Sequence, residues 1–187
     1  MATISEIQST MEEKMNKSLD ALRVDLAAMR SGRATPALLN KIMVDYYGTP
    51  TPINQVANVS VPEPRMIVIQ PWEKTMLKAI TKAIQTSDLG LNPNSDGVVI
   101  RLNLPQMTQE NRKDMVKKVS KKTEEYRVVI RNLRRDANDA VKKLEKAKEV
   151  TEDESKKAIE KIQKTTDKLI KEIDAVGAAK EKEVMEI

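Results

Sequence analysis

Along residues 1–31, apolar side chains recur at Ile4, Ile7, Met11, Met15, Leu19, Leu22, Leu26 and Met29, in steps of three or four. That spacing stacks them on one face of an α-helix and leaves polar residues on the rest. Thr3 and Glu6 have the spacing of a capping box at its start, and the helix is expected to end around Ser31-Gly32. A second seam, Met115, Val119, Tyr126, Ile130, Leu133, Ala137, Ala140 and Leu144, predicts a helix from about Thr108 to Lys148. At 1.5 Å per residue it would be roughly 60 Å long. A third seam, Ile159, Ile162, Thr166, Leu169, Ile173 and Val176, follows a second capping box, Thr151 with Glu154. Only Glu149 and Val150 separate the last two helices, so they run antiparallel. Seams near 3.5 residues in three helices of alternating direction predict a left-handed bundle.

The middle of the chain follows a different pattern. All eight prolines fall between Pro36 and Pro105, and four of the five glycines between Gly32 and Gly97. Glycine and proline punctuate local structure, so a loop-and-strand module is expected between the first two helices. Residues 42–47, 56–61, 65–70 and 98–104 are short β-branched-rich strand candidates. Met76, Leu77, Ile80, Ala83 and Ile84 predict one amphipathic helix within Lys74 to Thr86, and Leu89 to Asn94 is turn-rich. The fold class is therefore α+β with two domains. A long antiparallel three-helix bundle (1–31 and 106–187) carries a small β/α/β domain (32–105) inserted between helix 1 and helix 2.

The chain has no cysteine and no histidine. Disulfides, Cys-based metal sites and nucleophiles driven by a His base are excluded, and no cofactor is implied. No catalytic motif stands out, so an enzyme is not expected. There is no Gly-x-x-x-x-Gly-Lys-Ser/Thr loop; if the work needs chemical energy, a partner supplies it. The start Met1-Ala2-Thr3-Ile4-Ser5-Glu6 is polar and acidic, unlike a signal or transit peptide. With no run long enough to span a membrane, a soluble cytoplasmic protein is expected. Trp72, at a junction of strand and helix, is expected as a core anchor of the small domain. Tyr46 and Tyr47 are expected on opposite faces of a strand, one in the core and one exposed.

Charge adds the functional clue. The net charge is +5, yet residues 106–150 alone hold fourteen bases against eight acids. On a wheel of about 100° per residue with Arg134 at zero, Arg112, Lys113, Lys117, Arg127, Arg131, Arg135 and Lys142 fall between about −40° and +100°. Glu125, Asp114, Asp136 and Asp139 lie near 140–200°. A charged helix face is ordinarily a solvated one, laced by intrahelical pairs such as Lys142 with Glu145. Segregation from the acids, and the choice of Arg with its planar fork, point instead to phosphate. With one Trp, three Tyr and no Phe, base stacking is poorly served, so backbone recognition of folded RNA by shape fits better. Arg30 and Arg33 flank Gly32; they could contact RNA or stabilise the end of the first helix.

Four blocks in order carry a resemblance: Arg30 to Pro36, Asp45 to Pro52, Ser87 to Asn94 and Arg131 to Asp139. In these the chain resembles the bacterial ribosome recycling factor family nearly end to end. The resemblance implies an L-shaped, tRNA-like molecule that binds large-subunit rRNA through its bundle. It implies separation of post-termination ribosomes into subunits with elongation factor G and GTP hydrolysis. Carried over, Arg134 matches the arginine most closely tied to large-subunit RNA, with Arg131, Arg112, Arg30 and Arg33 in support. Ser31-Gly32 and Leu104-Pro105-Gln106 match a two-strand hinge. The competing reading is a coiled-coil structural protein assembling through the bundle seams. Oligomerisation alone would not require bases set apart from acids, so a monomeric factor is expected.

Overall fold

The computed structural model describes residues 2–186. Three long helices are present: α1 (Ile4–Ala27), α3 (Gln109–Lys146) and α4 (Glu152–Met185), with a short α2 (Leu77–Gln85) inside the insert. Six strands complete the fold: β1 (Met43–Tyr46), β2 (Thr49–Pro52), β3 (Ala57–Glu63), β4 (Met66–Pro71), β5 (Pro93–Ser95) and β6 (Ile100–Asn103). The chain divides into two compact units, residues 1–23 with 117–181 and residues 24–116 with 182–187. Their borders fall within α1, α3 and α4, so the first unit holds most of all three long helices.

In the first unit the seams are buried. Met15 and Leu22 of α1, Val119 and Ile130 of α3, and Ile162 and Ile173 of α4 are closed off from solvent. Ile7 and Met11 line one groove with Leu133, Ala137 and Ala140, which places α1 beside α3. Both capping boxes form. The Thr3 hydroxyl accepts from the Glu6 amide and the Glu6 carboxylate from the Thr3 amide, each at 3.2 Å. Thr151 and Glu154 repeat the exchange at 3.1 and 3.4 Å.

The reversal between α3 and α4 is a Schellman turn built without glycine. The Glu149 amide donates to the Leu144 carbonyl and the Lys148 amide to the Glu145 carbonyl, both at 3.0 Å, with Lys148 at φ 58°. A side chain in the left-handed region costs about 1 kcal/mol, and glycine removes that cost. Lys148→Gly is expected to raise stability by about 0.5–1 kcal/mol, read as a shifted urea midpoint at unchanged slope.

The insert, inside the second unit, is an antiparallel sheet in the order β3-β4-β6-β5 with a separate β1-β2 hairpin. Ile67, Ile69, Ile100 and Leu102 of the sheet share one buried cluster with Ile80 and Ile84 of α2. Two strands, β2 and β5, went unpredicted because proline marked their segments as breakers. Pro50 and Pro52 lie in β2, which among the described residues pairs with β1 alone, and Pro93 opens β5 at the sheet's edge. At an edge the missing N–H breaks no ladder. Pro62 sits where the β3-β4 register shifts between Ser60 and Glu63. A bulge tolerates it for the same reason.

Of two expectations about aromatic residues, one fails and the other is met by a different geometry. Trp72 is 61% exposed and anchors no core. The alternation of β4 buries Ile67, Ile69 and Pro71, and Trp72, next in that alternation, falls on the opposite face. Tyr46 packs against the core and Tyr47 is exposed, as expected, but not by strand alternation: Tyr47 leaves the strand at φ 48° and begins the two-residue turn with Gly48 at φ 84°. Positive φ at both positions is the hairpin turn that suits strand twist. The rings meet edge to face at 4.7 Å, and both hydroxyls donate to Glu73, each at 2.9 Å. Those hydrogen bonds raise both phenol pKa values.

Candidate nucleic-acid interface

The arginines of α3 differ in what holds them. Arg134 is half-buried and its Nη1 donates to Gln163 Oε1 of α4 at 3.2 Å. Gln163 Nε2 in turn donates to Asp167 Oδ1 at 2.8 Å, so a neutral amide stands between the guanidinium and the nearest acid of this chain of contacts. Arg135 is exposed and has no ion-pair partner among the described residues. Arg131 donates from Nη1 to Glu124 Oε1 at 3.2 Å. Arg127 is held by two acids: its Nη1 meets Glu124 Oε2 at 2.8 Å and its Nε meets Asp174 Oδ1 at 2.6 Å. These contacts, with Glu124 first, raise the Arg127 pKa, and Arg127 and Arg131 together pull the Glu124 carboxyl below its usual range.

The stripe is therefore not free of acids. On the wheel used above Glu124 falls near 80°, among the bases, and Glu145 near 20°. Their spacing was the available signal, since Glu124 stands three residues before Arg127 and seven before Arg131. Asp174 and Gln163, on a different helix, left no comparable trace in the sequence.

Arg112 departs further from the expected stripe, being only 8% exposed, with an Nε that is buried and lacks a hydrogen-bond partner. The cause is its angle: at about −40° Arg112 shares the wheel position of Ile130, which is fully buried in the seam. Arg112 also stands in heptad register with Val119, Tyr126, Leu133 and Ala140. Arg30 is half-buried, its Nε also lacks a partner, and burial lowers its pKa. Arg33 is exposed. So Arg127, Arg131, Arg134 and Arg135 share one stretch of α3 in the first unit, while Arg30, Arg33 and Arg112 belong to the second.

The expected hinge residues also lie inside the second unit. Ser31 is buried, and its Oγ donates to Glu183 Oε1 at 3.0 Å. Leu104 is buried and its amide donates to the Arg65 carbonyl at 2.8 Å. Gly32 is half-buried; Pro105 and Gln106 are exposed. No helix of the described residues is long and apolar enough to cross a membrane.

Residues 22–185 match the family model described as "Ribosome recycling factor". The chain belongs to the ribosome recycling factor family. Among its relatives, the ribosome-recycling factor of Brevibacillus brevis is 56% identical over 97% of this chain and 98% of its own length. That of Syntrophomonas wolfei is 57% identical over 98% of this chain and 100% of its own. A solution structure of the ribosome recycling factor superposes with a TM-score of 0.80 at 42% identity, covering both chains entirely. A second match is to structural models of the T. thermophilus ribosome recycling factor and the E. coli elongation factor G bound to the E. coli post-termination complex. It has a TM-score of 0.67 at 46% identity over 99% of this chain and 100% of that one. The bundle with an inserted sheet domain is thus the family's fold, and the exposed arginines of α3 belong to a ribosome recycling factor.

Proposed function

We propose that this chain, with elongation factor G and GTP hydrolysis, separates post-termination ribosomes into subunits and so releases mRNA and tRNA for a new round of translation. What carries the reading is the likeness over the full length to ribosome recycling factors, one of them placed with elongation factor G on a post-termination complex. The chain acts in the cytoplasm and does no bond chemistry itself; the GTPase partner supplies the energy.

Binding is assigned to large-subunit rRNA through α3. Among the described residues no acid occupies the forks of Arg134 and Arg135, and Arg131 adds a third that shares one N–H with Glu124. A guanidinium fork matches two phosphate oxygens, and a straight helix can follow a folded RNA backbone without unstacking bases. Arg112, Arg30 and Arg33 are assigned as supporting contacts; of these Arg33 is exposed, whereas the Nε atoms of Arg112 and Arg30 are buried. The functional domain boundary is placed at 31/32 and 105/106, where the chain passes twice between bundle and insert. Two crossings, Ser31-Gly32 and Leu104-Pro105-Gln106, would restrict motion to rotation about a hinge, which suits a lever pushed by a partner.

The deciding experiment mixes the purified protein with post-termination ribosomes, elongation factor G and GTP, and follows subunit separation by light scattering. Separation that requires all three components is expected. Binding without separation would remove the recycling assignment. A scaffold assembling through the seams would instead sediment as a stable oligomer, whereas a monomer is expected.

A further inference from the structure

The basic stripe of α3 has two electrostatic halves. Towards the C-terminus, Arg134 gives an N–H to a neutral amide and Arg135 is open to solvent. One to two turns earlier, a single carboxylate bridges two guanidinium groups. Glu124 accepts from Arg127 through Oε2 and from Arg131 through Oε1. Each carboxylate oxygen makes the charge-assisted contact that a phosphate oxygen would make. A fixed anion thus stands where a mobile one would bind.

We propose that Glu124 is a built-in competitor for RNA phosphate, setting how tightly and how salt-dependently the α3 stripe holds large-subunit RNA. Arg127 is then a positioning residue and Arg131 the arginine that changes partner. The inference rests on the reading of α3 as the RNA-binding face.

The two arginines differ in ways that give them these roles. The Arg127 side chain is 27% exposed and commits Nε and Nη1 to acids on two helices, which fixes α3 to α4 and leaves little of its fork free. The Arg131 side chain is 44% exposed and gives Glu124 only one Nη1. An ion pair this open to water is weak, so Glu124 tunes the site without closing it. Exchanging the carboxylate for phosphate adds one contact and releases a counterion from the RNA. A factor that must leave each ribosome before acting on the next is served by a stripe held below its full affinity, since release governs most affinity differences.

The test titrates the full-length protein onto purified large ribosomal subunits over a series of KCl concentrations. The chain has no cysteine, so one introduced thiol carries the fluorophore. Glu124→Gln is expected to bind about three- to ten-fold tighter, with a salt slope steeper by about one. Glu125→Gln is the control: it removes the same formal charge from a residue that pairs with Lys122, away from the arginines. It is expected to change affinity less than about two-fold, as a distant screened charge should. Equal effects of the two variants would reduce the result to net charge and overturn the proposal. Weaker or unchanged binding by Glu124→Gln would overturn it too, weaker binding meaning that Glu124 organises the arginines. Arg134→Ala separates the two levels: normal binding by that variant would sink the RNA-face reading itself, whereas weak binding beside an unchanged Glu124→Gln would sink the competitor alone.

Discussion

Arg134→Ala is expected to weaken binding to the large ribosomal subunit about ten- to a hundred-fold while leaving the thermal melt nearly unchanged. Among the described residues Arg134 has no acid partner, so its charge is not neutralised by an ion pair and is available to phosphate. Its hydrogen bond to Gln163, at 3.2 Å, is an exposed one that contributes little to folding. The contact instead steers the guanidinium, because the Gln163 amide is itself held by Asp167. Arg134→Lys keeps the charge and loses the fork, and should recover only part of the affinity. Fluorescence titration at near-physiological salt measures all three proteins. Equal affinity of wild type and Arg134→Ala there would remove Arg134 from the interface.

What the sequence carried was governed by how local each signal is. The seams of α1, α3 and α4 and the Thr3 and Thr151 capping boxes rest on contacts three or four residues apart, so periodicity suffices to find them. The strands β2 and β5 were hidden because proline's effect depends on whether a neighbouring strand needs its N–H, and edge position is a tertiary fact. Arg112 illustrates an edge position: its wheel angle of about −40° is shared by the buried Ile130, so a basic stripe drawn that wide already reaches the seam. Arginine clustering was legible, and spacing also put Glu124 within reach of Arg127 and Arg131. The partners from α4 were not legible, because Asp174 and Gln163 stand 47 and 29 residues beyond the arginines they meet. Trp72 shows the limit of composition, since residue type alone does not say which face of β4 is buried, and the inward residues are Ile67, Ile69 and Pro71.

The same α3–α4 contact gives the largest expected effect on stability. Gly177 lies in the interior of α4, where glycine costs about 1 kcal/mol relative to alanine, so helix propensity alone favours Gly177→Ala. Packing opposes it. A Cβ at this position would lie 2.8 Å from Thr123 Oγ1 and 3.0 Å from its Cγ2. Thr123 cannot readily turn aside, being buried, β-branched and tied by its hydroxyl to the Val119 carbonyl at 2.7 Å. Overpacking of this kind costs about 1–3 kcal/mol and outweighs the gain in propensity. Gly177→Ala should therefore lower stability by about 1–2 kcal/mol in urea unfolding. Adding Thr123→Ala makes room for the methyl group, and the double variant should be more stable than Gly177→Ala alone, giving a coupling energy of about 1 kcal/mol or more. Additive effects would mean that the two helices do not meet here. The consequence reaches the RNA face, because Asp174 stands one turn before Gly177 and Arg127 one turn after Thr123. Forcing α4 away at this point lengthens the Arg127–Asp174 contact and loosens the residue that positions the stripe. Gly177→Ala should thus also weaken binding to the large subunit, and the double variant should restore both properties together.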